Sequence, residues 1–194
     1  LTTSCNYRCD HCVDKDILNT GIRFEDHKLE DSIKLMAKKG LKSVIVIGGG
    51  EPTVHPKFVS IMRLMKSLNL SLGLVTNGGN LGRVLEIADC LDENDWVRLS
   101  LDSGKNDTFR IMHKPRTAIT LEEICTFIPL IKEKNSKFKI GFSFIVVWDN
   151  CEANSTSIHE NIKEMEMAAK LAKINKFDYI SYKPFLTRAD VNNA

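Results

Sequence analysis

Three of the six cysteines lie close together near the start of the chain, in the segment CNYRCDHC. Cys5, Cys9 and Cys12 follow the spacing C-x3-C-x2-C, and thiols this close on one loop can converge on a single metal centre. A structural zinc site requires four closed ligands, and the sequence has no second closely spaced cysteine pair. An iron–sulfur cluster normally takes four thiolates, so three leave one iron with an open position that a catalytic cluster can use. The cysteines therefore favour a catalytic iron–sulfur cluster, with zinc as the alternative.

A glycine-rich turn is the second candidate feature. Residues 48–52 read Gly-Gly-Gly-Glu-Pro and directly follow a run of Val and Ile that predicts a buried strand. Glycine lets a backbone approach a ligand closely, and the acid Glu51 could bind a ligand's ammonium group. Turns of this kind are also common between a strand and a helix, so this motif alone is weak evidence for a ligand.

Together the two motifs resemble those of the radical S-adenosylmethionine (radical SAM) enzyme superfamily. CNYRCDHC matches the family's cluster motif, and GGEP at residues 49–52 matches its motif for the amino group of S-adenosylmethionine (SAM). The distance along the chain from Cys12 to Gly48 leaves room for one loop, one helix and one strand. His11 departs from the pattern, because the family usually has Tyr, Phe or Trp before the third cysteine.

The resemblance implies that Cys5, Cys9 and Cys12 hold a [4Fe–4S] cluster and that SAM chelates its fourth iron. It also implies a set of residues that face SAM or the substrate: Gly49, Gly50, Glu51 and Pro52 at the amino group, Ser100 and Arg110 near the carboxylate or ribose, and Asn77 and Asp102 on the ribose or substrate side. An electron delivered to the cluster would cleave SAM to methionine and a 5′-deoxyadenosyl radical, which abstracts hydrogen from a peptide or small-molecule substrate. An electron donor such as a flavodoxin or ferredoxin is implied as the partner.

The elements that must position these residues alternate along the chain. Short apolar runs at residues 43–47, 71–75, 96–101, 140–147 and 179–181 predict buried parallel strands, because they are rich in Val and Ile and are bounded by Gly, Asn or Asp. Amphipathic stretches between them predict helices, two of them marked by capping boxes at Thr120/Glu123 and Ser157/Glu160. With a truncated first strand at residues 1–4, the order predicts an α/β fold, and both a closed or partly open barrel and a doubly wound sheet fit it. With the family resemblance, the fold expected is a partial (β/α)6 TIM-like barrel. In this architecture ligands lie at the carboxyl ends of the strands.

Composition limits the remaining classes of function. The 194 residues carry a net charge of +2 and contain no long apolar run, which argues against a nucleic-acid arm and against a membrane span. We interpret residues 1–194 as one core domain, an excerpt of a longer chain, that works in the reducing cytoplasm. A different class stays open, in which the chain is a non-catalytic interaction or scaffold protein that binds zinc or a cluster on an α/β barrel.

Other chemically capable side chains have simpler interpretations. We expect Cys90, Cys125 and Cys151 to be small apolar fillers, and His55 and His113 to lie on the surface. Trp148 is expected to cap the core.

Overall fold

Five parallel strands form the central sheet. The computed structural model describes residues 1–21, 25–153 and 156–186. In chain order the strands of the sheet are β1 (Ser43–Val46), β2 (Ser71–Thr76), β3 (Trp96–Ser100), β4 (Lys139–Val146) and β7 (Tyr179–Pro184). They are arranged β1-β2-β3-β4-β7, and every neighbouring pair is parallel. The predicted α/β class, and the positions of all five complete strands, are therefore confirmed.

Helices connect the strands. They are α1 (Asp26–Lys38), α2 (Phe58–Ser67), α3 (Leu81–Ile87), α4 (Asn106–His113), α5 (Leu121–Lys134) and α6 (Met165–Ile174). The helix α3 packs between α2 and α5, and the apolar faces of these helices share one core with the central strands. Among the described helices, none combines the length and apolar character that crossing a bilayer requires.

The amino-terminal segment differs from the prediction. Residues 1–4 form no strand, so the described sheet has five strands rather than six. The segment instead lies across the glycine-rich turn, where the Ser4 carbonyl accepts a hydrogen bond from Glu51 N (2.9 Å) and the Thr3 carbonyl accepts one from Asn19 N (2.7 Å). Because these carbonyls are used by loops, the segment pairs with no neighbouring strand in the described residues.

Of the two capping boxes that the sequence predicts, one is present in the structure and the other is not. Thr120 and Glu123 form the predicted capping box at the start of α5. Ser157 caps no helix, because it belongs to a short antiparallel hairpin of β5 (Glu152–Ala153) and β6 (Thr156–Ser157). The last helix starts later, at Met165, after a 3₁₀ turn at Ile162–Glu164.

Helix α4 has no counterpart in the sequence-based prediction. It lies between β3 and α5 and buries Phe109, Met112 and His113 on one face. Those three residues have the i, i+3, i+4 spacing of an amphipathic helix, so the signal was present in a stretch that looks mainly polar. This helix brings His113 to the carboxyl edge of the sheet.

Candidate functional site

A single cavity collects most of the predicted site residues at the carboxyl edge of the sheet. It has a volume of about 220 Å³. Its walls include the cysteine loop, the glycine-rich turn and the ends of β2 and β3. The predicted residues that line it are Cys5, Cys9, Cys12, Gly50, Glu51, Pro52, Asn77, Ser100 and Asp102. The structure therefore brings together residues that are up to about a hundred positions apart in sequence.

The loop that carries the cysteines is held by backbone bonds to two other segments. Arg8 N donates to the His113 carbonyl at the end of α4 (3.1 Å), and Arg116 N donates to the Asn6 carbonyl (3.1 Å). Cys5 N donates to Asn19 Oδ1 (3.1 Å). Tyr7 anchors the loop because its ring is buried in the main core against Phe109. The three thiols are thus presented by a fixed loop.

The three thiols share an environment that opposes their ionisation. Burial is the largest cause and raises the pKa of Cys5, Cys9 and Cys12. For Cys9 the negative charges that Cys12, Cys5 and Asp102 would carry raise the pKa further. Thiolates that repel one another in a buried site are stabilised by a cationic metal centre, which is the ligand chemistry of iron–sulfur and zinc sites. The donor set therefore fits a metal centre.

The glycine-rich turn is shaped by contact with the amino-terminal segment. Gly48 and Gly49 have φ values of 74° and 72°, in the left-handed region that favours glycine. At Gly50 an added Cβ would collide with the Ser4 carbonyl, so only glycine lets the two backbones pass. Gly49 lies on the same turn, and its N–H donates to Asp14 Oδ2 (3.2 Å).

Glu51 is buried and already accepts several hydrogen bonds within the protein, unlike an acid that is free to bind an ammonium group. Its side chain is 3% exposed, and Oε1 accepts hydrogen bonds from Thr53 N, Thr53 Oγ1 and Thr76 Oγ1 (3.0, 2.7 and 2.6 Å). The second oxygen, Oε2, accepts from Asn77 N (2.7 Å). Burial raises the pKa of Glu51, and the same hydrogen bonds counteract part of that rise. Glu51 therefore joins the turn to the end of β2, and a carboxylate oxygen with one donor can still accept another.

Asn77 also connects the end of β2 to the cysteine loop. Its side-chain Nδ2 donates to Asn6 Oδ1 (2.7 Å) in the cysteine loop and lies 3.8 Å from Cys5 Sγ. Because it lines the cavity as well, Asn77 positions the loop from the end of β2.

A buried network of Asp102 and two histidines lies beside Cys9. Asp102 Oδ2 is 3.3 Å from both His11 Nε2 and His113 Nε2, and Oδ1 accepts from Ile145 N (2.7 Å). His113 Nδ1 lies 3.3 Å from Cys9 Sγ, and its Nε2 is 3.0 Å from the Leu101 carbonyl. Burial alone would raise the pKa of Asp102, but the hydrogen bonds and charges of the two histidines outweigh it and lower the pKa well below the usual range. The sequence gives no local signal for this network.

Several predicted positions differ in the structure. His113 is buried, not on the surface, because α4 turns it towards Asp102. His55 is also buried: its Nε2 pairs with Asp26 (3.4 Å), and its Nδ1 accepts a hydrogen bond from Lys57 N (3.2 Å). Trp148 is 46% exposed and does not cap the core. Arg110 is exposed on α4 and donates to the Ile119 carbonyl (3.2 Å), so the structure does not bring it to the cavity.

The other cysteines lie away from the cavity. Cys125 is buried in the main core, Cys151 belongs to a second, smaller apolar cluster, and Cys90 packs partly buried against the main core. Their expected role as fillers agrees with these positions.

Comparison with known proteins places this site in a family. The family model described as "Radical SAM superfamily" matches residues 1–172. The chain belongs to the radical SAM superfamily. It is 31% identical over 185 residues to a GTP 3′,8-cyclase from Synechocystis, covering 92% of this chain and 54% of that protein. It is 29% identical over 152 residues to an S-adenosylmethionine-dependent nucleotide dehydratase from Flammeovirga pacifica, covering 73% of this chain and 50% of that protein.

The fold is shared with solved radical SAM structures. The crystal structure of Streptococcus suis SuiB superposes with a TM-score of 0.70 at 16% identity, covering 99% of this chain and 39% of that chain. This likeness confirms the predicted partial barrel. The chain spans about half or less of the length of the curated relatives listed above and of SuiB. Members of the family generally use SAM and a [4Fe–4S] cluster, and the three thiols of this cavity fit such a cluster.

Proposed function

We propose that this chain is the core of an enzyme that cleaves SAM reductively and uses the resulting radical to abstract hydrogen from a substrate. The observation that carries the proposal is the single cavity lined by Cys5, Cys9, Cys12 and the Gly50–Glu51 turn. Three thiols leave one iron of a [4Fe–4S] cluster open, and the turn that resembles the family's amino-group motif forms another wall of the same cavity.

The residues that line this cavity would bind the cluster, SAM and the substrate and would limit their contact with water. When bound, the cluster and SAM supply the chemistry, which yields methionine and a 5′-deoxyadenosyl radical. Cys5, Cys9 and Cys12 would hold the cluster as thiolates. The backbone at Gly49 and Gly50, together with Glu51 Oε2, offers oxygen acceptors for the SAM ammonium group. Ser100 and Asn77, which line the same cavity, would contact the rest of SAM or the substrate.

His113 would receive the proton that Cys9 loses. The Leu101 carbonyl, 3.0 Å from Nε2, can only accept a hydrogen bond, so Nε2 carries a proton. In the neutral ring Nδ1 is then the acceptor that faces the Cys9 thiol at 3.3 Å. After transfer, Nδ1–H would donate to the thiolate, and Asp102 would balance the charge on the ring. Asp102 therefore positions His113.

We further propose a nucleotide as the substrate class. The support comes from the relatives, because the names of the two above specify GTP and a nucleotide. The expected readout is formation of 5′-deoxyadenosine by the reconstituted protein, measured under dithionite with a panel of nucleoside triphosphates and a panel of peptides. Stimulation by a nucleotide supports this class, whereas stimulation by peptides alone would exclude it.

The cysteines provide the direct test of the site. Each of the variants Cys5→Ala, Cys9→Ala and Cys12→Ala should lose bound iron and sulfide and release no 5′-deoxyadenosine, because a cluster needs all three thiolates. Anaerobic iron and sulfide analysis and chromatography measure both quantities. The matched control is Cys90→Ala, which removes a thiol outside the cavity and should keep wild-type iron. A wild-type protein with a full cluster that releases no 5′-deoxyadenosine would contradict the enzymatic proposal.

Zinc binding without catalysis is the second candidate, and one observation favours it. The ligand atoms of Cys9, His11 and His113 lie within 4.8 Å of one another, which is close enough to hold a metal ion. Cys and His are zinc ligands. Metal analysis separates the two candidates: the scaffold alternative predicts zinc without sulfide and binding that survives Cys5→Ala, whereas the enzyme predicts iron with sulfide.

The proposed chemistry also predicts a cellular compartment and an electron donor. An oxygen-sensitive cluster suits a reducing compartment, so we propose the cytoplasm. The electron would come from a flavodoxin or ferredoxin.

A further inference from the structure

A basic groove lies on the other side of the cysteine loop from the cavity. Four cations line it, Arg8, Lys15, Lys114 and Arg116, and all four are exposed. One carboxylate, Asp10, also lines it and pairs with Lys114 (2.6 Å). In the described part of the chain no carboxylate pairs with the other three cations. The charged residues that line the groove therefore sum to +3, whereas the whole chain carries a net charge of only +2.

The groove and the cavity share a wall. Tyr7, Cys9 and Leu18 line both, so a residue that would hold the proposed cluster belongs to the wall between the two spaces. A partner seated in the groove would therefore contact the loop that holds the cluster without entering the space that SAM and substrate occupy.

The groove is poorly built for a small phosphate ligand. Phosphate sites use backbone N–H groups that point at the anion. Here Arg8 N and Arg116 N already donate to the His113 and Asn6 carbonyls. The remaining donors are long, exposed side chains, which suit the diffuse negative surface of a protein.

We propose that this groove is the docking surface for an acidic one-electron carrier protein of the flavodoxin or ferredoxin kind. This inference rests on the proposed function, because only a cluster at Cys9 gives such a partner an electron acceptor. The electron passes from the carrier's reduced cofactor to the cluster, which is reduced by one electron while the carrier is oxidised by one. Arg8, Lys15 and Arg116 provide the attraction, and Lys114 helps to position Asp10.

The test compares two charge reversals in the reconstituted protein. Lys15→Glu/Arg116→Glu reverses two charges in the groove, and Lys173→Glu/Lys176→Glu reverses two exposed lysines at and just after the end of α6, so both variants change the net charge equally. We measure the second-order rate of cluster reduction by a reduced acidic flavodoxin at low ionic strength in anaerobic stopped flow. The groove variant should be slower by about tenfold or more, and the difference should shrink at high salt. Lys173→Glu/Lys176→Glu should stay within about twofold of wild type, because neither lysine lines the groove.

Two further measurements separate this proposal from the proposed function. At high ionic strength, where the attraction of the dithionite anion to the groove is screened, dithionite should reduce the cluster equally fast in all variants. A groove variant that is slow with dithionite under this condition would overturn the docking role. Calorimetric binding of oxidised flavodoxin needs no cluster turnover, and absence of binding at low salt, or equal binding by wild type and the groove variant, would also overturn it. Displacement of flavodoxin by tripolyphosphate at equimolar concentration would identify the groove as a phosphate site instead. Failure of SAM cleavage with normal reduction by flavodoxin would contradict the proposed function alone.

Discussion

Asp102 is the most constrained residue of the site. Its backbone has φ 49°, which is uncommon for a non-glycine residue, and its carboxylate is buried. Both oxygens face donors: Ile145 N at Oδ1 and the two histidines at Oδ2. Asp102, two residues after the end of β3, is thus held by three segments, and it holds His113 against Cys9 in turn.

Asp102→Asn should destabilise the protein. An amide has only one acceptor oxygen, so its NH2 group must face either Ile145 N–H or the two histidines. His113 Nε2–H keeps the Leu101 carbonyl as an acceptor, so the buried donor left unpaired is Ile145 N–H or His11 Nε2–H. We expect a loss of about 2 to 3 kcal/mol in the free energy of unfolding, measured by denaturant titration of the metal-free protein. Asp149→Asn, a change at an exposed residue, should alter it by less than about 0.5 kcal/mol. Equal stability of the two variants would show that the network contributes little.

The same residue predicts a pH dependence. The pKa of Asp102 is lowered in the folded state, so the unfolded state takes up the proton first as pH falls. Its contribution is complete above the ordinary Asp pKa of about 3.9 and is lost progressively below it. Wild type should therefore lose stability more steeply than Asp102→Asn as the pH falls from about 5 to about 3. Parallel curves for the two proteins would contradict the lowered pKa.

At the scale of elements, the glycine-rich turn and the amino-terminal segment depend on each other. Gly50 passes under the Ser4 carbonyl, and Glu51 N donates to the same carbonyl. The position of the turn therefore determines the position of the segment that leads into Cys5. Glu51 in turn fixes the turn to Thr76 and Asn77 at the end of β2.

Gly50→Ala should disturb the cysteine loop. The new Cβ meets backbone atoms of Thr3 and Ser4, which can move only if the loop moves with them. We expect a loss of about 1 to 3 kcal/mol in the free energy of unfolding and less iron per folded molecule after reconstitution. The control is Gly82→Ala in α3, where an added Cβ meets nothing within 4 Å and should stabilise the helix by about 0.5 to 1 kcal/mol. Full iron content in Gly50→Ala would mean that the loop tolerates the shift.

Elements were predictable from the sequence where their signal is local. Buried parallel strands are continuous apolar runs, and the Thr120 capping box is complete within four residues, so both were recognised. Ser157 carries the same local pattern, but its backbone pairs with Glu152 in a hairpin, and this competing pairing cannot be read from capping residues. The contact of His113 with Asp102 and Cys9 depends on how α4 packs, so long-range geometry decided what the sequence could not.

At the scale of the whole molecule, the cavity and the stabilising residue Asp95 lie at opposite ends of the strands. The cavity lies at the carboxyl ends of the strands, whereas Asp95 lies at their amino ends, just before β3. Asp95 Oδ1 accepts from Leu72 N (2.6 Å), Oδ2 accepts from Asp92 N (2.8 Å) and Lys66 Nζ (2.7 Å), and its carbonyl accepts from Lys139 N (3.1 Å). Through its carboxylate Asp95 thus joins β2 and α2 to the start of β3, and through its backbone carbonyl it joins β4.

Asp95→Ala should therefore weaken the fold without altering the site. Removing the Asp95 carboxylate leaves Leu72 N and Asp92 N without their acceptor, whereas Lys66 keeps Asp92 and the Leu70 carbonyl as partners. We expect a loss of about 2 to 4 kcal/mol in the free energy of unfolding, because an unpaired buried donor costs about 1 to 3 kcal/mol. Asp92→Ala removes the exposed partner of the same lysine and should cost no more than about 1 kcal/mol. Asp95→Asn keeps one acceptor oxygen, so its loss in the free energy of unfolding should lie between those of the two alanine variants. It replaces Asp95→Ala in the comparison if that variant does not fold. Iron per folded molecule at low temperature should equal that of wild type in all three, because the cysteines lie at the opposite edge; a fall in iron beyond the unfolded fraction would show that the two edges are coupled.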